Sequence, residues 1–464
     1  MGSKWEMVCI DDIKSLEKYS CVGGPFGSSL SRKHYVDSGV PVIRGVNLSG
    51  DSFSESDFVF VSKDKALELQ RNMAFRGDLV FTQRGTLGQV ALIPEDSKYD
   101  RYVVSQSQMK LTVNSEIADP YFVYSYFRTT EAKTLIERSA IVGGVPHINL
   151  GILKEFKLKL PPLCVQKRVA NISRILDNKI TLNRQINQTL EQMAQTLFKS
   201  WFVDFNPVID NALDASNPIP DELQHRAEAR KVVRESEGFK PLPDEVRQLF
   251  PDAFEESELG WVPKGWEVKK ISDFGSVICG KTPSKKIPEY YGSDVPFLKI
   301  PDMHGNVFVV KTTDKLSYKG SNSQVKKLIP KDSISVSCIA TVGLVSISTE
   351  PMHTNQQINS IVPNQPRFRD YLYFSMKEKR KQFHDLASGG STTLNMNTGV
   401  FSRVSVLKPS DAILDMFQTQ SSGLLERIKL SSTESESLAA LRDTLLPKLI
   451  SGELRLDDIE LAVE

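Results

Sequence analysis

The chain has 464 residues, of which 40% are hydrophobic and 25% are charged, so it is globular in composition and too long for a single hydrophobic core. No apolar run is long enough to cross a membrane and residues 1–20 lack the order of a signal peptide, so we expect a cytoplasmic protein. Five scattered cysteines without a Cys-x-x-Cys pair argue against a disulfide framework and against a zinc site.

The formal net charge of +1 hides an uneven distribution along the chain. Residues 260–410 contain 21 Lys and Arg against 11 Asp and Glu, a local balance of +10. A positive field attracts phosphate backbones, although a need for solubility can also explain part of such a balance. The charge therefore favours nucleic acid as a partner of the second half of the chain.

Residues 1–160 alternate short β-rich runs with turns and form a predicted mixed α/β domain. Its expected strands are 40–44, 58–61, 78–82, 90–93 and 109–113. Residues 119–138 then carry Phe122, Tyr126 and Phe127 at helical spacing, which predicts a helix.

Residues 161–205 predict one long helix. Pro161 and Pro162 stop a helix from beginning earlier, and Asn206-Pro207 closes the far end. A heptad seam follows at Val169, Ile172, Leu176, Lys179, Asn183, Ile186, Leu190, Met193 and Leu197. The seam predicts a partner helix, with Asn183 fixing the register; the alternative is a single amphipathic core helix of a globular domain.

Residues 206–259 are rich in Pro and carry 6 Lys and Arg against 13 Asp and Glu. A helical stretch is predicted at 221–237. We expect a folded or draped connector here rather than a third domain.

The residues from 260 to 410 repeat the order of the first domain. The matching pairs are Trp5 and Trp266, Asp12 and Asp273, Pro41 and Pro296, Asp78 and Asp332, Gly88 and Gly343, Gln108 and Gln357, and Asn149 and Asn395. Sparse identity in a preserved order predicts a duplicated α/β domain.

A second long helix is predicted at 411–452, where Phe417, Leu424 and Ile428 recur at heptad spacing and Pro447 should end the periodic part. Residues 453–464 form a short acidic tail. The chain thus consists of domain, helix, connector, domain and helix.

One catalytic pattern occurs, because residues 275–282 fit the phosphate-binding loop Gly-x-x-x-x-Gly-Lys-Thr. Such a loop binds phosphate only where a helix begins at the Lys, whereas here Pro283 and Pro288 follow. Asp119-Pro120-Tyr121 lacks the second Pro of an amino-methyltransferase loop, and the six histidines show no metal-ligand spacing. We therefore predict no catalytic residue, no metal and no cofactor on this chain.

Polar loops recur in both halves, and their residue types suit DNA. Gln binds adenine bidentately, Arg binds guanine, and Ser, Thr and Lys contact phosphates. Each loop residue taken singly could also be part of an ordinary turn. The candidate DNA-binding residues are Gln83, Arg84, Thr86, Gln89, Gln106, Gln108, Lys285, Lys286, Lys326, Lys327, Gln356, Gln357, Ser391, Thr392 and Thr393.

At this point the chain resembles the DNA-specificity subunit of type I restriction–modification systems. The resemblance covers essentially the whole chain. The motifs that carry it are Leu160-Pro-Pro-Leu163 with Gln166, Leu197-Phe-Lys-Ser-Trp-Phe-Val-Asp-Phe205, Gly260-Trp-Val-Pro-Lys-Gly-Trp-Glu267, Gly280-Lys-Thr-Pro-Ser284, and Leu441-Arg-Asp-Thr-Leu-Leu-Pro-Lys-Leu-Ile-Ser-Gly-Glu453.

The resemblance implies a non-catalytic subunit with two target-recognition domains, 1–160 and 260–410, separated by two antiparallel coiled-coil helices in a pseudo-two-fold arrangement. Each domain would read one half of a bipartite site in double-stranded DNA. The helices would dock two modification (methyltransferase) subunits, and restriction subunits would join the complex. S-adenosylmethionine, ATP and Mg²⁺ are expected on those partners. Phe198, Trp201 and Phe202 are candidate docking residues, with core packing as their alternative role.

Two other classes of protein stay open at this point. One is a nucleotide-dependent or methylating enzyme that acts alone, which binding of S-adenosylmethionine or ATP would reveal. The other is a scaffold that binds only proteins, against which the basic second domain argues.

Overall fold

The computed structural model describes residues 5–48, 50, 52–388 and 394–454. The chain folds into two compact units. Unit 1 contains the described residues up to Ile180 and those from Ser437 onward, and unit 2 contains Thr181–Glu436. Both boundaries fall inside long helices.

Unit 1 is a mixed unit of short strands and helices. Its strands are β1 (Glu6–Cys9), β2 (Cys21–Gly23), β3 (Tyr35–Val36), β4 (Val40–Ile43), β5 (Val59–Val61), β6 (Met73–Phe75), β7 (Leu79–Thr82), β8 (Val90–Leu92), β9 (Arg101–Val104), β10 (Gln108–Leu111) and β11 (Lys157–Leu160). Its shorter helices are α1 (Ile10–Ile13), α2 (Lys63–Glu68), α3 (Pro120–Phe127), α4 (Thr130–Arg138) and α5 (Leu150–Glu155). All five predicted strands are present. The single helix predicted over 119–138 is wrong in one respect, because it is two helices, the second of which begins at a new cap where the Thr129 side chain accepts a hydrogen bond from the Ala132 amide.

Three sheets organise unit 1. A four-stranded antiparallel sheet has the order β2-β10-β7-β8, a five-stranded sheet has the order β3-β5-β4-β9-β6, and β1 pairs with β11. Helix α3 covers the four-stranded sheet, where the rings of Phe127 and Phe81 meet edge to face at 4.9 Å. The core is closed by Leu449 and Ile450 from the last turn of the second long helix.

Helix α6 (Leu163–Phe202) follows, and it begins directly after Pro162 as predicted. The connector then forms α7 (Asn206–Asp214), α8 (Asp221–Glu235) and α9 (Asp244–Arg247) and belongs to unit 2. Ion pairs hold it together. The Arg230 guanidinium binds both carboxylate oxygens of Asp210 at 3.0 and 2.7 Å, and Arg234 binds Asp214 at 2.5 Å.

Unit 2 repeats the plan of unit 1. Its strands are β12 (Phe254–Ser257), β13 (Gly260–Pro263), β14 (Glu267–Lys270), β15 (Gly275–Cys279), β16 (Tyr291–Leu298), β17 (Phe308–Val309), β18 (Asp314–Leu316), β19 (Ile334–Ser337), β20 (Val345–Ser348), β21 (His353–Thr354), β22 (Ile358–Pro363) and β23 (Ser405–Lys408). Its shorter helices are α10 (Ile271–Phe274), α11 (Ile300–Met303), α12 (Tyr318–Asn322), α13 (Phe368–Glu378), α14 (Arg380–Ala387) and α15 (Thr398–Ser402). The main sheet has the order β15-β22-β19-β20-β17, and β14 pairs with β23 as β1 pairs with β11.

The second long helix, α16, runs over Asp411–Ser451. The prediction that Pro447 ends the helical pattern is wrong, because the helix continues for one more turn past it. Pro removes one backbone donor and crowds the preceding turn. The burial of Leu449 and Ile450 in the core of unit 1 offsets that cost.

The predicted seam of α6 follows the buried face only in part, because Val169 and Asn183 are buried while other seam positions lie one residue away from a buried one. Met193 is 53% exposed, whereas the next residue, Ala194, is fully buried, and Ile180 is buried rather than Lys179. Helix α6 also has neighbours other than α16. In unit 1 the Ser173 hydroxyl lies 3.1 Å from that of Ser125 on α3, so α6 turns part of its face toward α3 as well as toward α16.

Within each unit the two long helices are antiparallel. In unit 2, Asn183 donates to the carboxylate of Glu434 at 2.8 Å, while Phe198 meets Phe417 further along both helices. Asn183 is buried between the helices, as predicted. Its role in fixing the register stays a prediction. None of the helices that the structure describes combines the length and the apolar composition that a membrane span requires.

The docking role predicted for Phe198, Trp201 and Phe202 is wrong, because their side chains are not on the surface. All three rings are buried in the core of unit 2, where Trp201 packs edge to face on Phe250 at 5.1 Å. The connector and α16 cover this end of α6. Core packing, the alternative that the sequence left open, is what these residues do.

Candidate nucleic-acid interface

Three polar loops of unit 1 meet at one end of its four-stranded sheet. Antiparallel pairing of β7 with β10 places Gln83 beside Ser107, whose carbonyl accepts a hydrogen bond from the Gln83 amide at 2.7 Å. The loop before α5 joins them. The backbone amide of Ile148 donates to the backbone carbonyl of Gln83 at 3.0 Å, and Arg84 pairs with His147 as an isolated antiparallel β-bridge. We call residues 83–89, 105–108 and 141–148 the unit 1 loop cluster.

The predicted residues differ in how accessible they are within this cluster. Arg84 and Thr86 are exposed, and Gln83 and Gln89 are half-buried. Gln106 is exposed, but its amide nitrogen donates to the carbonyls of Gly27 and Leu30 and so holds the loop that follows β2.

Gln108 does not reach the surface, so its assignment as a DNA-contacting residue is wrong. It is the first residue of β10, its side chain is fully buried, and its amide oxygen accepts from the Ser105 hydroxyl. A fully buried side chain cannot contact the edge of a base.

Unit 2 builds the same cluster from different residues. The Cys338 amide donates to the Gln357 carbonyl at 2.8 Å, and the Met396 amide donates to the Cys338 carbonyl at 2.9 Å. These bonds repeat those of Gln83 in unit 1. Gln357 is half-buried and accepts from the Asn355 amide group at 2.9 Å. The thiol of Cys338 lies below these loops, and burial raises its pKa to about 11, so it stays neutral and unreactive.

The hydrogen bonds correct three of the sequence pairings between the halves. Strand pairing matches Gln108 with Ile358 and Ser107 with Gln357, so the pairing of Gln108 with Gln357 is wrong by one residue. The other two errors concern Asp332 and Asn149.

Asp332 matches Gly77 rather than Asp78, because both residues have positive φ in the turn before the strand, at 64° and 82°. Asn149 matches Asn397 rather than Asn395. Asn149 caps α5 and Asn397 caps α15, each side chain accepting from the amide three residues on, at 2.9 and 3.0 Å. Sparse identity could not distinguish neighbouring polar residues, whereas turn geometry and capping do.

The lysines predicted to bind DNA lie on two segments of unit 2 that hydrogen bonds link. The Gln324 side chain donates to the Lys281 carbonyl at 3.0 Å, which joins the turn carrying Lys326 and Lys327 to the loop carrying Lys285 and Lys286. Lys285, Lys286 and Lys326 are exposed, and Lys327 is half-buried. The Thr282 hydroxyl donates to the Gln356 side chain at 2.5 Å, so the exposed Gln356 adjoins the same loop.

The apparent phosphate-binding loop has no helix after its Lys. Residues 280–287 are irregular, and Pro283 is buried. Gly280 is required for packing, because a Cβ atom there would lie 2.1 Å from the Asn355 carbonyl oxygen. Gly24 of unit 1 faces the Ser105 carbonyl in the same way, at 1.9 Å. Gly24 and Gly280 are therefore both required for close packing of the backbone in their units.

Three predicted residues, Ser391, Thr392 and Thr393, lie outside the described residues. Within the part of the chain that the structure describes, no group of three or more His, Cys, Asp or Glu side chains could hold a metal ion. Sequence reasoning missed the apolar side chains beside the unit 1 cluster, of which Phe26 is 83% exposed and Val142 is 86% exposed. It also missed the exposed apolar side chains of the long helices, which are Ile175, Leu182, Met193, Leu430 and Leu441.

The two polar loop clusters on duplicated α/β units, with exposed lysines on two linked segments of unit 2, suit a protein that recognises DNA. The family of the type I restriction modification DNA specificity domain matches residues 2–192 and 263–434. The chain belongs to that family and is a specificity subunit of a type I restriction–modification system.

Individual relatives agree with this assignment. The chain is 42% identical over 417 residues to the type I restriction enzyme HindI specificity subunit of Haemophilus influenzae, which covers 85% of this chain and 90% of the relative. It is 32% identical over 168 residues to the MjaIX specificity subunit of Methanocaldococcus jannaschii, covering 36% of this chain and 39% of the relative. The crystal structure of the S subunit from M. genitalium shares the fold at a TM-score of 0.51 and 13% identity, with 96% of each chain covered.

Proposed function

We propose that each unit reads one half of a bipartite DNA site. The observation that carries this proposal is the repeated hydrogen-bond register at Gln83 and Cys338, which builds the same loop cluster twice on one chain. A conserved frame with different side chains suits two readers of different base sequences. Arg84 of unit 1 has Ile339 as its counterpart in unit 2. Each forms an isolated antiparallel β-bridge in its own unit, Arg84 with His147 and Ile339 with Asn395.

The two units would bind DNA mainly through different interactions, unit 1 through base-edge hydrogen bonds and unit 2 through phosphate contacts. Unit 1 presents Arg84 and Gln83, whose side chains can form base-edge hydrogen bonds. Unit 2 presents exposed Lys285, Lys286 and Lys326, whose charges suit phosphates. Direct base contact in unit 2 then falls to residues such as Gln356.

The long helices would separate the two readers and dock two modification subunits. Buried aromatics at the end of α6 do not serve docking, so the exposed apolar side chains of the helices take that role in this proposal. Met193 and Leu430, which are 53% and 62% exposed, suit contact with a protein. Restriction subunits would complete the complex, and S-adenosylmethionine, ATP and Mg²⁺ would bind to the partner subunits. The specificity chain would contribute no catalytic group.

The test substitutes the candidate base-contacting residue of one unit at a time. Arg84→Ala and Gln356→Ala are expressed with the modification subunits, and methylated sites are mapped by sequencing. We expect Arg84→Ala to relax or change bases in one half of the site only, and Gln356→Ala to affect only the other half. Lys159→Ala is the control for charge loss, since Lys159 is exposed on β11, which pairs with β1 and not with the sheet that carries the loops. If either loop variant altered both halves, or if Arg84→Ala left the site unchanged, the proposal would be wrong.

A further inference from the structure

Three exposed apolar side chains lie in or next to the unit 1 loop cluster: Val142 and Val145 belong to it, and Phe26 lies on the loop after β2 that Gln106 holds. Phe26 is 83% exposed, Val142 is 86% exposed and Val145 is 56% exposed. A single exposed apolar side chain is ordinary in a folded protein, but several on one surface mark a place of contact.

Hydrogen bonds tie the loops of these three residues to the candidate base-reading residues. Gln106 donates to the carbonyls of Gly27 and Leu30 and thereby fixes the turn that begins at Phe26. In the loop before α5, the Ile141 backbone amide donates to the His147 carbonyl at 2.8 Å, which closes a short loop that contains Val142 and Val145. His147 also pairs with Arg84 as an isolated β-bridge. Phe26 and Val142 therefore belong to loops that Gln106 and Arg84 anchor.

The matching loop of unit 2 lacks this apolar character. Gly24 and Gly280 hold equivalent positions, since their amides donate to the carbonyls of the equivalent residues Gln108 and Ile358. Two residues after Gly24 stands Phe26, whereas two residues after Gly280 stands Thr282, which is bonded to Gln356 and followed by Lys285 and Lys286. Phe26 therefore has no apolar counterpart at the equivalent position of unit 2.

We propose that Phe26 or Val142 contacts the 5-methyl group of a thymine in the half-site read by unit 1. The inference rests on the proposed function. In the major groove only the A·T pair presents a methyl group, and apolar side chains are the groups that meet it. Because it lies on a loop bonded to Gln106 or to Arg84, such a side chain would add a contact that distinguishes thymine from cytosine and from uracil.

The test uses DNA in which only the methyl group is removed. The recognition site is first mapped by methylation, and the half read by unit 1 is identified as the half that Arg84→Ala alters. Duplexes are then made with each thymine of that half replaced in turn by deoxyuridine, and their affinity for the full chain with its modification subunits is measured. At one thymine we expect a loss of about fourfold, the effect of burying one methyl group.

The same series with Phe26→Ala and Val142→Ala identifies the side chain. We expect one of these variants to bind the thymine duplex about as weakly as the parent binds the uracil duplex, and to lose nothing further with uracil. Leu16→Ala is the control, because Leu16 is 93% exposed but follows Ser15, which bonds to Thr112 at the opposite end of β10. It should leave the fourfold loss intact.

The outcomes separate this inference from the function on which it rests. A half-site without an A·T pair, no loss with any uracil, or a loss that both variants retain would overturn the thymine contact while leaving bipartite reading intact. A further outcome is that Arg84→Ala alters neither half. The proposed function would then fail, and the thymine contact with it.

Discussion

The carboxylate of Asp177 on α6 lies 2.7 Å from the guanidinium of Arg442 on α16, although 265 residues separate them in sequence. Arg128, in the turn after α3, binds the same carboxylate through two nitrogens at 2.6 and 3.1 Å, and the Tyr121 hydroxyl donates to it at 2.7 Å. One buried acid therefore joins both long helices of unit 1 to the helix that covers its sheet.

Asp177→Asn should strongly destabilise unit 1. Removing one partner of a buried ion pair leaves the arginines uncompensated and costs about 3–5 kcal/mol. Urea unfolding of the parent and the variant measures the difference as a shift of the midpoint. Asp443→Asn is the matched control, because Asp443 also binds Arg442, at 2.9 Å, but is 65% exposed, so its loss should cost about 1 kcal/mol or less. Equal effects of the two variants would show that burial of the Asp177 carboxylate is unimportant.

Asp177 should also make the stability of the protein depend on acid pH. Burial acts to raise the pKa of its carboxyl, but the hydrogen bonds and charge of Arg128, together with hydrogen bonds from Tyr121 and Arg442, outweigh burial and hold the pKa below the ordinary value. A depressed folded pKa stabilises the protein above the unfolded pKa of about 3.9, and this contribution is lost as the pH falls from there through the folded value. Unfolding free energies of the parent and Asp177→Asn should therefore converge below about pH 4. A constant difference down to the lowest pH at which both still fold would contradict the assignment.

Neutralising the lysines of unit 2 should weaken the dependence of DNA binding on salt. Each phosphate contact contributes about 0.9 to the slope of log affinity against log salt, so Lys285→Ala with Lys286→Ala should reduce the slope by up to about 1.8. Lys326→Ala with Lys327→Ala should act in the same way. Lys231→Ala with Lys240→Ala removes the same charge from exposed positions of the connector and should leave the slope unchanged. Identical slopes for all three pairs would show that the loop lysines are merely solvated.

Trp201 and Met193 should separate folding from partner binding. Trp201 is 1% exposed, so Trp201→Ala should cost about 3–5 kcal/mol of stability through the cavity that it leaves. Met193→Ala should change stability by no more than about 0.5 kcal/mol while weakening the affinity for the modification subunit. Thermal unfolding and titration with that subunit measure the two effects. Full partner affinity in Met193→Ala would remove this face of α6 from the docking proposal.

The long helices should set the gap between the two half-sites. One heptad is inserted between Asn187 and Gln188 in α6 and another between Leu430 and Ser431 in α16, next to the Asn187 amide that binds Ser432 at 3.1 Å. Matched heptads keep the helix faces in register and add about 10 Å, or about three base pairs of DNA. Extra base pairs also rotate one half-site about the DNA axis, so affinity is expected to fall. Methylation mapping should show a longer gap with unchanged bases in each half; full activity at the original gap would contradict the prediction.

The sequence by itself determined the elements whose signals are local. Pro162 set the first turn of α6, alternation set the strands, and Asp12 and Asp273 each accept from a backbone amide three residues earlier at the start of a short helix, at 2.8 Å in both units. These features depend on neighbouring residues alone, and a sequence displays neighbours directly.

Tertiary structure decided which side of each local element faces the core. The heptad seam of α6 matches the buried face only in part, because α6 also contacts α3 and α13, and no pattern within α6 reports those neighbours. Gln108 resembled a base reader until strand pairing buried it, and Trp201 resembled a docking residue until the connector covered it. Pro447 lies inside a helix for the same reason, since burial of Leu449 and Ile450 outweighs the lost hydrogen bond. Burial depends on contacts between residues far apart in sequence, and only the folded chain brings those residues together.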